Sequence, residues 1–302
     1  MNRPDTTTSN GFGITAAFIA VSAWGLSGVI AKDIDLGGAA LGAYRFSIYG
    51  VVMAGVAALR RERITIRAMR ASMAGGLVLG ADVALFFSAI KLTSVANATV
   101  IGALQPIVVA VVAYKLFGEK IYRRDMIFAA IAIMGVAVVV FAADNTNSDT
   151  NGTGILLAVL AVFAWAGYFV FSKRAKEHIS ANEYTVGAAL WTGAVNIPIA
   201  LLFGQSLAIP AADDWIKILI LAFGAGLLGH QLMNWSIQQI PLWISSTFTL
   251  LIPVVSATAA WAFLGEALNG TQVVAMGVVL GALFGIVARQ SGIGSLPRPL
   301  RR

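Results

Sequence analysis

The chain has 302 residues, of which 58% are hydrophobic and only 12% charged, with a formal net charge of +7. A soluble domain of this length carries about a quarter charged residues, so the composition excludes an ordinary water-soluble fold and points to an all-α integral membrane protein. The positive charge does not indicate nucleic acid, because Lys and Arg fall in short clusters between apolar runs rather than along one face, and the absence of cysteine excludes disulfides, thiolate metal sites and a Cys nucleophile.

A helix needs roughly 20 apolar residues to cross about 30 Å of hydrocarbon, and ten such spans follow one another. The first, 14–31, comes after a lead that carries a single Arg, Arg3. Such a lead is also seen in cleaved signal peptides, but an internal repeat described below argues for a retained helix. Trp24 falls at its mid-depth, away from the interfaces where tryptophan usually sits, and is suited to stacking on an aromatic ligand or to filling the core. The second span, 38–59, carries Arg45 near its N-terminal end, placed to attract a carboxylate or phosphate, to snorkel, or to pair with Asp33 or Asp35. The third, 71–90, holds Asp82 about halfway along, where a charge costs at least roughly 2.5 kcal/mol. That acid is expected to face the bundle interior or a water-filled cavity, as a partner for a substrate ammonium, a proton carrier or a hydrogen-bonded packing residue. In the fourth span, 95–117, Pro106 frees the carbonyl of Gly102, and Gly118-Glu119 follows. Glu119 is expected to be structural, an anion before the fifth span, 126–143, with Arg123 and Arg124 nearby.

A polar loop, 144–153, precedes the sixth span, 154–172, which holds Trp165 and Tyr168, and the seventh, 184–203. In the eighth, 215–237, His230 and Asn234, continued by Gln238, recur every four residues with Gln231 and Gln239 beside them. This stripe is expected to wall a wetted path, the alternative being interhelical hydrogen bonding. The ninth, 243–264, repeats the proline at Pro253 and frees the carbonyl of Thr249. Gly102, Pro106, Thr249 and Pro253 are therefore candidate hinges whose carbonyls need a donor from substrate, water or a neighbouring helix. In the tenth, 271–288, glycines 277, 281 and 285 form a ridge expected to pack internally, which favours a monomer over a dimer. A tail, 289–302, follows.

With the N-terminus inside, 17 of the 21 Lys and Arg fall on the inner side and only Lys32, Arg45, Lys91 and Lys217 on the outer. This asymmetry predicts cytoplasmic N- and C-termini and an even number of spans. Self-comparison adds internal symmetry. Shifted by 141, Gly13–Lys32 matches Gly154–Lys173 at nine of 20 positions, Trp24/Trp165 and Lys32/Lys173 among them; shifted by 147, Leu104–Glu119 matches Leu251–Glu266 at seven of 16, including Pro106/Pro253 and Glu119/Glu266. Repeat one (13–143) and repeat two (154–288) each hold five spans, an odd number, so the second half must lie upside down relative to the first. Inverted halves that rock about a midplane site are a transporter architecture. The 147 shift also sets Asp82 against Gly229, beside His230, so the two ionisable groups are expected to face one another across the pseudo-symmetry axis, as a proton relay would require.

Ala23-Trp24-Gly25, Tyr44-Arg45-Phe46, Leu104-Gln105-Pro106 and Gly118-Glu119, with Ala164-Trp165, Leu251-Ile252-Pro253 and Gly265-Glu266 as counterparts, resemble the drug/metabolite transporter superfamily and, within it, the EamA family of ten-helix exporters. One departure is that Val186 stands where the second half would repeat Arg45. The resemblance implies a secondary transporter in a bacterial-type cytoplasmic (inner) membrane, exporting amino acids, other metabolites or toxic compounds by alternating access, with a YddG-like aromatic amino-acid exporter as its specific form and a passive facilitator as the alternative. It implies a small-molecule substrate and the lipid bilayer as partners, no cofactor, metal or nucleic acid, and no catalytic residues. An intramembrane enzyme is argued against by the lack of an H-E-x-x-H motif or a paired intramembrane aspartate.

Overall fold

Long apolar segments in lipid must satisfy their backbone polar groups within themselves, which leaves the helix as the economical solution. The computed structural model describes residues 6–32, 34–61, 64–92, 95–142, 152–264 and 267–290. Arg3, Asp33, Arg63, Asp144, Asp149, Glu266 and the tail arginines 298, 301 and 302 lie outside the described residues, as does most of the 144–153 loop. Ten helical stretches follow in order: α1 (Thr6–Lys32), α2 (Gly38–Leu59), α3 (Ile66–Leu92), α4 in two pieces (Val95–Gly102 and Gln105–Phe117), α5 (Arg123–Phe141), α6 (Gly152–Ala175), α7 (Ala181–Leu202), α8 (Ala212–Gln239), α9 (Leu242–Thr247, Phe248–Leu251 and Ile252–Leu264) and α10 (Gly270–Gln290). Among the described residues nine are long and apolar enough to cross a membrane, and α1 supplies a tenth apolar stretch over Gly11–Ser27.

Several helices run past the apolar spans because polar residues continue the hydrogen-bond ladder into the interface. α7 starts at Ala181 because Ser180 and Glu183 form a reciprocal capping box. α4 ends at Gly118, whose φ of 62° is left-handed and natural to glycine.

The two halves pack as a pseudo-symmetric set. α1 lies on α8 and α9, while its counterpart α6 lies on α3 and α4; α2 packs on its counterpart α7, and α5 on α10. Close approach is bought by glycine: a Cβ at Gly76 would sit 2.6 Å from the Ala188 carbonyl oxygen, and one at Gly80 2.2 Å from Val195 Cγ1. A Cβ at Gly42 would meet Val83 and one at Gly38 would meet Phe87, which fixes the antiparallel register of α2 against α3. Large apolar side chains such as Phe18, Val111, Phe163, Trp261 and Phe284 remain exposed on the outside of the bundle, a surface suited to lipid rather than water. The expected glycine ridge on α10 meets α5 only at Gly285, against Phe128; Gly277 and Gly281 face open space, and the close contact to α5 runs instead through Gly135, Ala275 and Val279.

Candidate functional site

Both prolines interrupt their helices, in different ways. Pro106 cannot donate to the Gly102 carbonyl, and α4 breaks into a turn at Ala103 and Leu104. Ahead of Pro253 the chain tightens into a 3₁₀ turn over Phe248–Leu251, and the Thr249 carbonyl accepts from the Ile252 N–H. The donor that this carbonyl needs is thus internal. The two breaks meet, since the Thr249 hydroxyl donates to Gln105 Oε1 at 3.0 Å, joining the halves at corresponding places.

A third irregularity was not foreseen: residues Leu221–Gly229 of α8 form a π-helical segment. Gly226 and Gly229 make room there for aromatic rings, since a Cβ at Gly226 would meet Tyr49 and one at Gly229 would lie 2.5 Å from Trp24 Nε1. Trp24 Nε1 donates to the Ala225 carbonyl at 3.0 Å. Segments of this kind recur at functional sites.

Trp24 and Trp165, equivalent in the two halves, touch edge to face with centroids 5.1 Å apart. His230 lies against Trp24 (5.1 Å), Phe46 (5.3 Å) and Tyr168 (5.7 Å), and Phe46 continues to Tyr49 at 5.5 Å. Tyr168 Oη and His230 Nδ1 are hydrogen-bonded at 3.2 Å. Trp24, Trp165, Tyr168 and His230 therefore form one cluster from α1, α6 and α8. Phe46 and Tyr49 of α2 belong to it but were missed; their spacing from Arg45, one and four residues on, was the available signal.

Below this cluster, towards the end of the bundle rich in Arg and Lys, Asn234 is a hub. Its Nδ2 donates to Tyr168 Oη (2.9 Å) and Thr185 Oγ1 (3.0 Å), and its Oδ1 accepts from Ser172 (2.7 Å) and Lys176 (3.3 Å). Lys176 also donates to the Asn234 carbonyl. Burial and the adjacent Lys173 charge hold the Lys176 amine well below the usual lysine range. His230 and Asn234 are buried while Gln238 is exposed. Of the expected wall, His230 and Asn234 are joined by hydrogen bonds to α6 and α7, whereas Gln231 Oε1 is buried without a hydrogen-bond partner. Replacing Asn234 by Leu is expected to lower stability by about 2 kcal/mol, at roughly 0.6 kcal/mol per intramembrane hydrogen bond plus the partners left unpaired; denaturant unfolding in detergent checks it, and an unchanged midpoint would contradict the hub.

Glu119 joins helices at the same end. Its carboxylate accepts from the backbone N–H groups of Leu242 (2.8 Å) and Trp243 (3.2 Å) at the start of α9, and pairs with Lys173 of α6. An anion at a helix N-terminus was expected, but at α5 with Arg123 and Arg124. The α9 terminus prevails because Pro241 starts that helix beside Gly118-Glu119 and leaves its first N–H groups without intrahelical acceptors. Lys173 was visible as an inner-side charge and as a repeat identity, without its partner.

Arg45 and Asp82 are charges within the spans that lack a hydrogen-bond or ion-pair partner among the described residues. Arg45 is buried, its Nε lacks a hydrogen-bond partner, and its guanidinium lies 4.9 Å from the Phe46 ring centroid. It neither snorkels nor pairs with Asp35. Asp82 is half-buried and makes no hydrogen bond or ion pair with a described residue. The expected Asp82–His230 pair is absent: His230 Nδ1 is hydrogen-bonded to Tyr168 Oη instead.

The profile of the EamA-like transporter family matches residues 11–141 and 152–288, once for each half. The Salmonella typhimurium protein named "Probable amino-acid metabolite efflux pump" is 28% identical over 181 residues, 56% of this chain and 59% of that protein, so the match spans less than two thirds of the relative. The Bacillus subtilis protein named "Uncharacterized transporter YyaM" is 27% identical over 85% of both chains, and the Escherichia coli "Threonine/homoserine exporter RhtA" 25% identical over 70% of this chain and 68% of its own. A solved crystal structure, 19% identical, superposes with a TM-score of 0.76 over 96% of this chain and 99% of that one, a likeness of fold.

Proposed function

Since the chain belongs to the EamA-like transporter family and is a multi-pass membrane transporter, not an enzyme, we propose that it exports small metabolites, above all amino acids, by alternating access around the Trp24–Trp165–His230 cluster. The reading rests on one observation above the others: the two halves meet through equivalent tryptophans at a place where a π-helical segment and two proline breaks interrupt the helices. Irregular backbone inside a membrane is tolerated where it is buried in protein or lines a pathway. The names of the relatives, an amino-acid metabolite efflux pump and threonine/homoserine exporters, agree with that substrate class. The aromatic lining favours aromatic substrates within it. In this reading the Arg/Lys-rich end faces the cytoplasm with both termini, in a bacterial inner membrane, and the Asn234 and Glu119 contacts hold that end shut.

Purified protein in proteoliposomes tests it. Labelled Phe, Trp, Tyr and Thr are expected to exchange saturably; transport without saturation or counterflow would indicate a passive facilitator instead. Trp165→Ala is expected to raise KM for Phe by about 3- to 10-fold, the equivalent of roughly 0.5–1.5 kcal/mol of ring contact, with a smaller change for Thr. An equal change for both would remove the ring from substrate recognition.

A further inference from the structure

Two opposite charges inside the bundle have no hydrogen-bond or ion-pair partner among the described residues. Arg45 is 7% exposed and its Nε is buried without an acceptor, whereas guanidinium groups buried in proteins are ordinarily paired, and those in membranes pair or line a pathway. Asp82, on the neighbouring helix, is likewise unpaired. Their depths agree. Gly42 lies beside Val83 and Gly38 beside Phe87, so on this antiparallel register Arg45 is level with Gly80, and Asp82 is displaced by two residues, about 3 Å along the axis.

Their directions are set by neighbours. Arg45 adjoins Phe46 and Tyr49, which carry the aromatic cluster to His230 and Gly226. Asp82 lies one turn from Val78, the residue that a Cβ on Gly167 of α6 would meet at 3.1 Å, and Gly167 adjoins Tyr168 of the cluster. The two charges thus border the cluster from α2 and α3 without joining in an ion pair. An ion pair between them would have satisfied both; its absence leaves one acceptor-seeking and one donor-seeking group at the same depth.

We propose that Arg45 and Asp82 form a zwitterion clamp, Arg45 holding the α-carboxylate of an amino acid and Asp82 its α-ammonium, with the side chain directed to the rings of Trp24 and Trp165. This rests on the amino-acid reading above and deepens it: the substrate must present both charges on one small frame. Each charge neutralises a counter-charge inside the bundle, so a molecule carrying one alone leaves the other group uncompensated. The clamp selects against amines, carboxylic acids and amides of the same shape. Arg45 has no counterpart in the second half, where Val186 stands, so the clamp belongs to repeat one alone.

The test is counterflow of labelled Phe in proteoliposomes of the full chain, with unlabelled Phe, phenethylamine, 3-phenylpropionate and phenylalaninamide as competitors. Phe is expected to compete at least about tenfold better than each analogue, one charge-assisted interaction being lost in each. Arg45→Gln is expected to raise KM for Phe at least about tenfold while abolishing the disadvantage of phenethylamine relative to Phe, and Asp82→Asn to do the same for 3-phenylpropionate; Arg45→Lys and Asp82→Glu are expected to recover part of the loss. Wild-type transport of Phe with equal competition by the singly charged analogues overturns the clamp and leaves the amino-acid reading standing. Absence of transport for Phe, Trp, Tyr and Thr in the wild type overturns both. The competition series needs no variant, so it decides the matter even if Arg45→Gln does not fold.

Discussion

Glu119→Gln is expected to open the Arg/Lys-rich end of the bundle and to depress exchange. The Glu119 carboxylate collects two backbone N–H groups from α9 and the Lys173 ammonium from α6, so a single group ties α4, α6 and α9 together. It is 8% exposed, so little water screens it. Glutamine keeps the shape and one acceptor oxygen but removes the charge, leaving Lys173 unneutralised and weakening the interaction with the positive helix end. Charge-assisted bonds of this kind are worth about 1.5–3 kcal/mol, which moves a two-state equilibrium roughly 10- to 150-fold towards the open form. The chain contains no cysteine, so Ala175→Cys, a buried position at the end of α6, supplies a lone thiol. Its labelling by a membrane-impermeant maleimide should rise at least about tenfold in the Glu119→Gln background. Labelling and exchange both unchanged would mean that the contact holds nothing shut.

Gly76→Ala should be the most damaging single methyl group of the set. A Cβ there would stand 2.6 Å from the Ala188 carbonyl oxygen and 2.5 Å from Trp191 Cβ, and a backbone carbonyl inside a helix cannot rotate aside. α3 and α7 would have to separate along an interface that also depends on Gly75, Gly80 and Gly187. Overpacking costs about 1–3 kcal/mol, partly offset by the better helix propensity of alanine, about 1 kcal/mol at most. Gly277→Ala is the matched control, since nothing lies within 4 Å of that position, and it should leave stability unchanged or raise it slightly. Thermal unfolding in detergent compares the two. Equal midpoints would refute the close packing of α3 on α7.

What was legible in the chain followed from one-dimensional quantities. Apolar run length marks a membrane helix because the hydrocarbon thickness is fixed. The pairing of Trp24 with Trp165 and of Pro106 with Pro253 was readable because duplication leaves identities at constant offsets. Helix ends were less legible. α3 begins at Ile66 and α7 at Ala181, earlier than the apolar pattern, since interfacial polar residues continue a helix that hydropathy does not register. The π-helical segment of α8 was invisible for a related reason: Leu221–Gly229 is apolar and glycine-bearing, with nothing to separate an α from a π ladder, and its geometry is stabilised by rings from Trp24 and Tyr49 far away in the chain.

Partner choice divided the remaining cases. Glu119 was correctly read as an anion for a helix N-terminus, yet the terminus lies 123 residues further on, and no local rule selects it over the adjacent α5. The repeat offset suggested that Asp82 faces His230, but an offset relates backbone positions and not side-chain partners; the hydrogen-bond partner of His230 is Tyr168. By itself, the sequence determined the number of spans, the two inverted halves and which residues are anomalous in a membrane, because lipid penalises charge, proline and unpaired backbone wherever they occur. Only the tertiary structure decided which anomalies cancel one another and which remain unpaired, because hydrogen bonds and ion pairs depend on separations of about 3 Å between groups that the chain order leaves a hundred residues apart.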